Sequence, residues 1–198
     1  MVDAKRVFDA VVSGAALVVL SPVLVACAVA VVVDDPGPAL FRQKRVGLGG
    51  EEFEILKFRS MRRAGGLQIT SGGDSRITRV GRVLRSTKLD ELPQLVNVVR
   101  GDMSLVGPRP EVPKYVAEWP PEARAEILSV RPGITDPGSI AFRHEETELA
   151  AAADPERHYV DVILPKKVAL YVDYVRTRTF LGDLALIFRT LAAVVHRS

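Results

Sequence analysis

Cysteine is almost missing from this 198-residue chain: its one residue, Cys27, excludes a disulfide framework and a cysteine-based metal site, and says nothing about redox compartment. Aromatic residues are also few, at 6%. No basic stretch is interleaved with them and no zinc spacing or reading helix is recognisable, so nucleic acid ranks low among partners. The glycine-rich Gly47-Leu48-Gly49-Gly50 lacks the third glycine and the strand-loop-helix setting of a dinucleotide fingerprint, and reads as a turn. His144, Glu145, Glu146 and Glu148 match no metal-ligand spacing and read as a solvated acidic helix start.

Charge is absent from Ala10 to Val33, 24 residues composed mainly of Val, Ala and Leu. The run is long enough to cross a bilayer. It exceeds the apolar core of a typical secretory signal, and Asp34-Asp35-Pro36 follows without an obvious small-residue cleavage site. Lys5 and Arg6 precede it and Arg42, Lys44 and Arg45 follow, so positive charge lies at both ends and does not favour a simple crossing. In its middle, Ser21-Pro22 removes one backbone hydrogen bond, and in hydrocarbon the freed carbonyl needs another donor, such as the Ser21 hydroxyl. Two readings stay open on physics alone: a kinked span with termini on opposite sides, or a re-entrant anchor with both on one side.

Elsewhere charge is segregated. Residues 42–109 carry 14 Lys and Arg against 7 Asp and Glu, whereas residues 110–198 carry 11 against 13. A basic segment directly after a membrane stretch belongs on the cytoplasmic side and is attracted to anionic headgroups. Ala39–Val46 and Glu51–Arg59 alternate as two strands around the glycine turn, with Lys57 and Arg59 sharing a face. Gly65–Ser75 is glycine- and serine-rich and reads as a loop. Arg76–Ser86 carries Ile77, Val80, Val83 and Leu84 at helical spacing with arginines between, which suits either a membrane surface or the core.

The stretch Ser86–Leu95 is the centre of the chain. Pro93 is tolerated only in the first turn of a helix, which predicts a helix start here with Asp90 and Glu91 at its N-terminus. Arg76, Arg79, Arg82, Arg85, Lys88, Arg100 and Arg109 surround the pair, more cation than two carboxylates need, which suggests an anionic ligand. A capping Asp90 and a solvated basic face is the competing reading, and both stay open. Arg109 lies between Pro108 and Pro110, a stiff setting for a guanidinium suited to bidentate phosphate contact. Trp119 reads either as an interfacial anchor or as a core residue, and 164–196 as helix interrupted near Gly182.

Several stretches, in order, resemble the bacterial sugar transferase family, the small monotopic polyprenyl-phosphate phosphoglycosyl transferases. They are Lys5–Asp9, Ser21-Pro22, Arg42–Gly47, Lys57–Met61, Leu84-Arg85, Leu89–Leu95, Gly101–Pro110 and Arg131–Thr135. Asp136-Pro137-Gly138-Ser139 departs from the glycine and apolar residue that many members carry there. The resemblance favours the re-entrant anchor and implies an α-rich α+β fold. Residues 1–35 would form the anchor and 36–198 a cytosolic catalytic head, one folding unit with it, with a small β-hairpin and amphipathic interfacial helices. It implies transfer of a sugar-1-phosphate from a UDP-sugar to polyprenyl (undecaprenyl) phosphate, releasing UMP, at the cytoplasmic face of a bacterial inner membrane with both termini cytoplasmic. Asp90 would be the nucleophile, forming a phosphosugar-aspartate, and Asp90 and Glu91 would hold Mg2+. Lys57, Arg59, Arg85 and Arg109 would neutralise substrate phosphates. A homodimer is left open. Alternatives from other classes are an anionic-lipid-binding scaffold anchored in the membrane, and a Mg2+-dependent lipid diphosphate hydrolase.

Overall fold

The computed structural model describes residues 4–62, 74–142 and 145–195. The chain opens with two helices, α1 (Ala4–Val19) and α2 (Ser21–Asp34), bent by 65° at a break of one residue, Leu20. The cause is local. Pro22 has no N–H for the carbonyl of Val18, one helical step back, and the Ser21 hydroxyl donates to that carbonyl instead at 2.8 Å. No single helix among the described residues is long and apolar enough to cross a membrane, whereas the bent pair together has the length and composition.

Neither helix stands apart from the rest. α2 buries Cys27 and Val31 against Phe58 and Leu84, which lie beyond the helix pair. At the other end the two cations that open α1 are spent on packing. Arg6 donates to the carbonyls of Val98 (2.5 Å) and Val99 (2.9 Å), and Lys5 reaches buried Asp183 at 2.7 Å. The Ser104 hydroxyl donates to buried Asp9 at 2.6 Å.

Strands β1 (Leu40–Val46) and β2 (Glu52–Phe58) pair antiparallel from Leu40 opposite Phe58 to Val46 opposite Glu52, as the alternation predicts. Their connection closes through a 3-10 turn in which Gly49 and Gly50 adopt left-handed backbone angles, φ 68° and 87°. The predicted loop at Gly65–Ser75 lies, apart from its last two residues, outside the described residues. The amphipathic helix begins later than its periodicity suggests, as α3 (Arg79–Ser86), because the Thr78 side chain accepts from the Gly81 amide and caps it. Its Leu84 packs on α2 and Val83 is exposed.

The Pro93 reading needs correction. Helix α4 (Gln94–Arg100) starts after Pro93, and Asp90 and Glu91 occupy a separate 3-10 turn, Leu89–Glu91, ahead of it. Lys88, at φ 58°, reverses the chain between α3 and that turn. The sequence reading also missed a second pairing: β3 (Ser104–Val106) lies parallel to β4 (Gly133–Thr135). Between them come α5 (Pro113–Val116) and α6 (Pro121–Ile127), and after them α7 (Pro137–Ala141), α8 (Glu145–Ala151) and α9 (Pro155–His158). A π-helical turn at Tyr159–Ile163 leads into α10 (Leu164–Thr177), and α11 (Phe180–Val195) follows. The last break falls at Arg178-Thr179, and Gly182 sits inside the first turn of α11. Trp119 is 3% exposed beside Tyr171 in the main core, with Tyr115, Tyr159 and Ile163, which removes its interfacial reading.

Candidate active site

Asn97 sets the geometry from which the site is built. Fully buried on α4, its side-chain oxygen accepts from the Leu56 amide at 3.0 Å and its nitrogen donates to the Glu54 carbonyl at 2.8 Å. It thereby satisfies the open edge of β2 as a neighbouring strand would. The next residue along β2 is Lys57, which this clamp brings to Glu91: Lys57 Nζ lies 3.1 Å from Glu91 Oε1.

From the opposite side comes Arg109. Its loop follows β3, which a close backbone approach holds against β4: a Cβ on Gly133 would stand 2.1 Å from the Gly107 nitrogen. Arg109 grips both Glu91 oxygens, Nη2 to Oε1 at 2.6 Å and Nη1 to Oε2 at 3.4 Å. Burial alone would raise the Glu91 pKa, but the charges of Arg109 and Lys57 hold it well below the usual carboxylate range. Burial lowers Lys57 to about 8, with Glu91 opposing the shift.

Asp90 is the contrasting neighbour. It is 6% exposed, and its Oδ1 has no hydrogen-bond partner among the described residues. Burial first, and then the charge of Glu91, raises its pKa. No side-chain capping bond is made at the start of its turn or of α4, so the geometry removes the reading of Asp90 as a helix cap. An oxygen left bare in a cationic neighbourhood is suited to nucleophilic or ion-binding work.

Asp90, Glu91, Lys57, Arg85 and Arg109 all line one cavity of about 850 Å3, within the range of small-molecule sites. Arg109 remains 29% exposed, so its pairing with Glu91 leaves a face open to that space. Arg85 is there too, paired with Glu146. Arg59 is placed differently. Beyond the end of β2 it turns to the C-terminal end of α2, buried, 3.0 Å from Asp35 and donating to the Asp35 carbonyl, and it is not among the residues that line the cavity. Ser21 and Pro22 sit at the bend between α1 and α2.

Among the described residues no group of three or more His, Cys, Asp or Glu side chains converges as a metal site. A hard cation bound here would have Asp90 and Glu91 as its carboxylates. Asp90 offers an unpartnered oxygen beside ionised Glu91, and Mg2+ takes one or two carboxylates and completes its shell with water and substrate phosphates. Asn97 escaped the sequence reading because a single Asn in an apolar helix carries no spacing signal. Asp136, Lys167 and Tyr171, which also line the cavity, were missed because they converge only through folding.

The sequence comparisons give the family. The family model described as bacterial sugar transferase matches residues 2–197. The chain belongs to the bacterial sugar transferase family. A UDP-glucose:undecaprenyl-phosphate glucose-1-phosphate transferase of Caulobacter vibrioides is 39% identical over 197 residues, covering 96% of this chain and 69% of the relative. A UDP-N-acetylgalactosamine-undecaprenyl-phosphate N-acetylgalactosaminephosphotransferase of Aeromonas hydrophila is 36% identical over 196 residues, 96% of this chain and 43% of its own length. The exopolysaccharide production protein ExoY of Rhizobium meliloti is 33% identical over 209 residues, 96% and 85%. The chain thus spans under half of the Aeromonas protein and most of ExoY, and its relatives in the family differ in the sugar that their names specify.

Proposed function

We propose that this bacterial sugar transferase moves a sugar-1-phosphate from a UDP-sugar to undecaprenyl phosphate. The observation that carries the reading is Asp90, a buried carboxylate with a bare oxygen, beside the Lys57–Glu91–Arg109 cluster in the large cavity. An Asp90 oxygen attacks the phosphorus that bears the sugar. As that P–O bond forms, the bond to the UMP oxygen breaks and UMP leaves with the electron pair. An oxygen of the acceptor phosphate then attacks the same phosphorus, releasing the Asp90 carboxylate and leaving a lipid diphosphate sugar. Arg109 and Lys57 place positive charge where phosphate oxygens accumulate it, and the rigid loop around Arg109 keeps that charge oriented. Arg85 supplies a further cation on the α3 side. Asp90 and Glu91 would hold Mg2+, which when bound neutralises and orients the diphosphate.

The acceptor's tail requires a membrane. Val18, Val19 and Val33 on the bent pair are 74–78% exposed, and Leu181 and Phe188 on α11 are 75% and 68% exposed. Aliphatic surface of that extent favours a lipid environment. In this reading the 65° bend turns α2 away from a straight crossing, residues 1–35 act as a re-entrant anchor and 36–198 as a head at the cytoplasmic face of the inner membrane. Arg59 then ties head to anchor through Asp35.

The test is isotope exchange. Labelled UMP should enter the UDP-sugar pool without acceptor lipid, in detergent with Mg2+, and net UMP release should need the lipid. Exchange that requires the lipid would overturn the covalent order of events, and UMP appearing only with water as acceptor would favour a hydrolase.

A further inference from the structure

Part of the cavity lining is made of groups that the transfer steps do not use. Asp136, fully buried, caps α7 through the Ser139 amide at 3.0 Å. Tyr171 on α10 is 2% exposed, and a Cβ on Gly138 would stand 3.5 Å from its hydroxyl. Lys167, one turn earlier on α10 and also buried, pairs with Glu145 at 2.6 Å. Thr190 on α11, the helix packed against α7, lines the same space with a buried hydroxyl oxygen that has no partner among the described residues. A carboxylate, an ammonium–carboxylate pair, a phenol and an unsatisfied hydroxyl bring hydrogen-bond donors and acceptors together in this part of the cavity.

We infer that this part, with Asp136, Lys167, Tyr171 and Thr190 at its centre, binds the donor's sugar as a neutral, hydroxyl-rich pyranose and sets which sugar is accepted. The inference rests on the transferase reading above. Two observations favour the sugar over the uracil base. The Lys167 ammonium lies over the rings of Tyr159, 4.9 Å from the centroid, and Phe142, 5.8 Å, so it covers a face of each ring that a base would need for stacking. The side chains presented instead are those that read hydroxyl positions, and a buried polar group deprived of its partner penalises the wrong epimer. Arg109 lines the same cavity as Asp136 and Tyr171 and grips Glu91, so on this inference a phosphate held by Arg109 has its sugar toward Tyr171.

The experiment compares UMP release by wild type, Tyr171→Phe and Lys167→Met across UDP-glucose, UDP-galactose and their N-acetylated counterparts, together with competitive inhibition by UMP. Tyr171→Phe deletes one oxygen and nothing else, so it reads the subsite even if Lys167→Met unfolds. The expected result is a loss of about tenfold in kcat/KM for the preferred donor, the size of one neutral hydrogen bond, with discrimination between epimers narrowed and UMP inhibition unchanged. UMP inhibition weakening in step with donor use would overturn the inference, because the subsite would then hold the nucleotide. Unaltered donor preference in both variants would overturn it equally. Absence of UMP release by folded wild-type protein from every donor would remove the transferase reading itself, and the subsite with it.

Discussion

Arg109 meets Glu91 through both of its terminal nitrogens, at 2.6 and 3.4 Å, and in doing so decides how the neighbouring carboxylate behaves. Lys57 shares the Oε1 that Arg109 approaches most closely, so Glu91 absorbs two cations and stays ionised far into acid. Asp90 receives no such partner on Oδ1 and bears the repulsion of Glu91 on top of its burial. Two adjacent acids are thereby shifted in opposite directions, a separation that goes with a division of roles.

The pH profile of kcat/KM should report that division. Attack requires Asp90 ionised, so the acid limb lies above the ordinary aspartate value of about 3.9 and belongs to Asp90, since the Glu91 pKa is lowered. The alkaline limb should fall from about pH 8, where free Lys57 loses its proton and with it the charge that faces the phosphate. Lys57→Arg should move the alkaline limb upward and leave the acid limb in place. A profile flat to well above pH 9 in the wild type would show that the charge of Lys57 is not needed.

Asp90→Asn separates chemistry from folding. Amide and carboxylate are nearly isosteric, but the amide cannot act as the nucleophile, and UMP release should drop by at least about 10³-fold. Stability should move the other way. A carboxylate whose pKa is raised on folding is a burden at neutral pH, so the melting temperature in detergent should be unchanged or higher. A mutant that keeps a tenth of wild-type activity would overturn Asp90 as nucleophile.

Much of this was legible in the chain because local rules carried it. The break at Ser21-Pro22 follows from one missing amide and one nearby hydroxyl, and the hairpin follows from period-two alternation around a glycine turn. The clustering of Lys57, Glu91 and Arg109 was accessible through the resemblance, since 34 residues separate the first two and no periodicity joins them. What was hidden depended on long-range closure. Alternation along β2 puts Lys57 and Arg59 on one face, yet Arg59 falls just past the last paired residue and swings to Asp35. Three-residue strands such as β3 and β4 are too short to leave a pattern, and they show themselves only through the glycines that let their backbones touch.

Asn97 offers a test of how Lys57 is held. Asn97→Ala leaves the Leu56 amide and the Glu54 carbonyl without these partners, at a cost of about 2–4 kcal/mol in stability. Because the freed strand edge carries Lys57, surviving folded protein should bind UDP-sugar more weakly and lose the alkaline limb near pH 8. Chemical denaturation with an activity-versus-pH series checks both. Destabilisation with an unaltered alkaline limb would reduce Asn97 to a packing residue.

Pro22→Ala addresses the anchor. Alanine restores an N–H to the Val18 carbonyl, which removes the reason for the bend and lets α1 and α2 approach one straight helix long enough to span. The readout is topology in sealed cells, with single cysteines at Ala4→Cys or Lys44→Cys in a Cys27→Ser background and a membrane-impermeant maleimide applied from outside. With Pro22 present both sites should stay unlabelled until the cells are opened. Pro22→Ala should expose one of the two in a fraction of molecules, and only a fraction, because Lys5 and Arg6 remain bound to Asp183 and to the carbonyls of Val98 and Val99. Labelling of one site alone before any mutation would mean that the wild-type anchor spans.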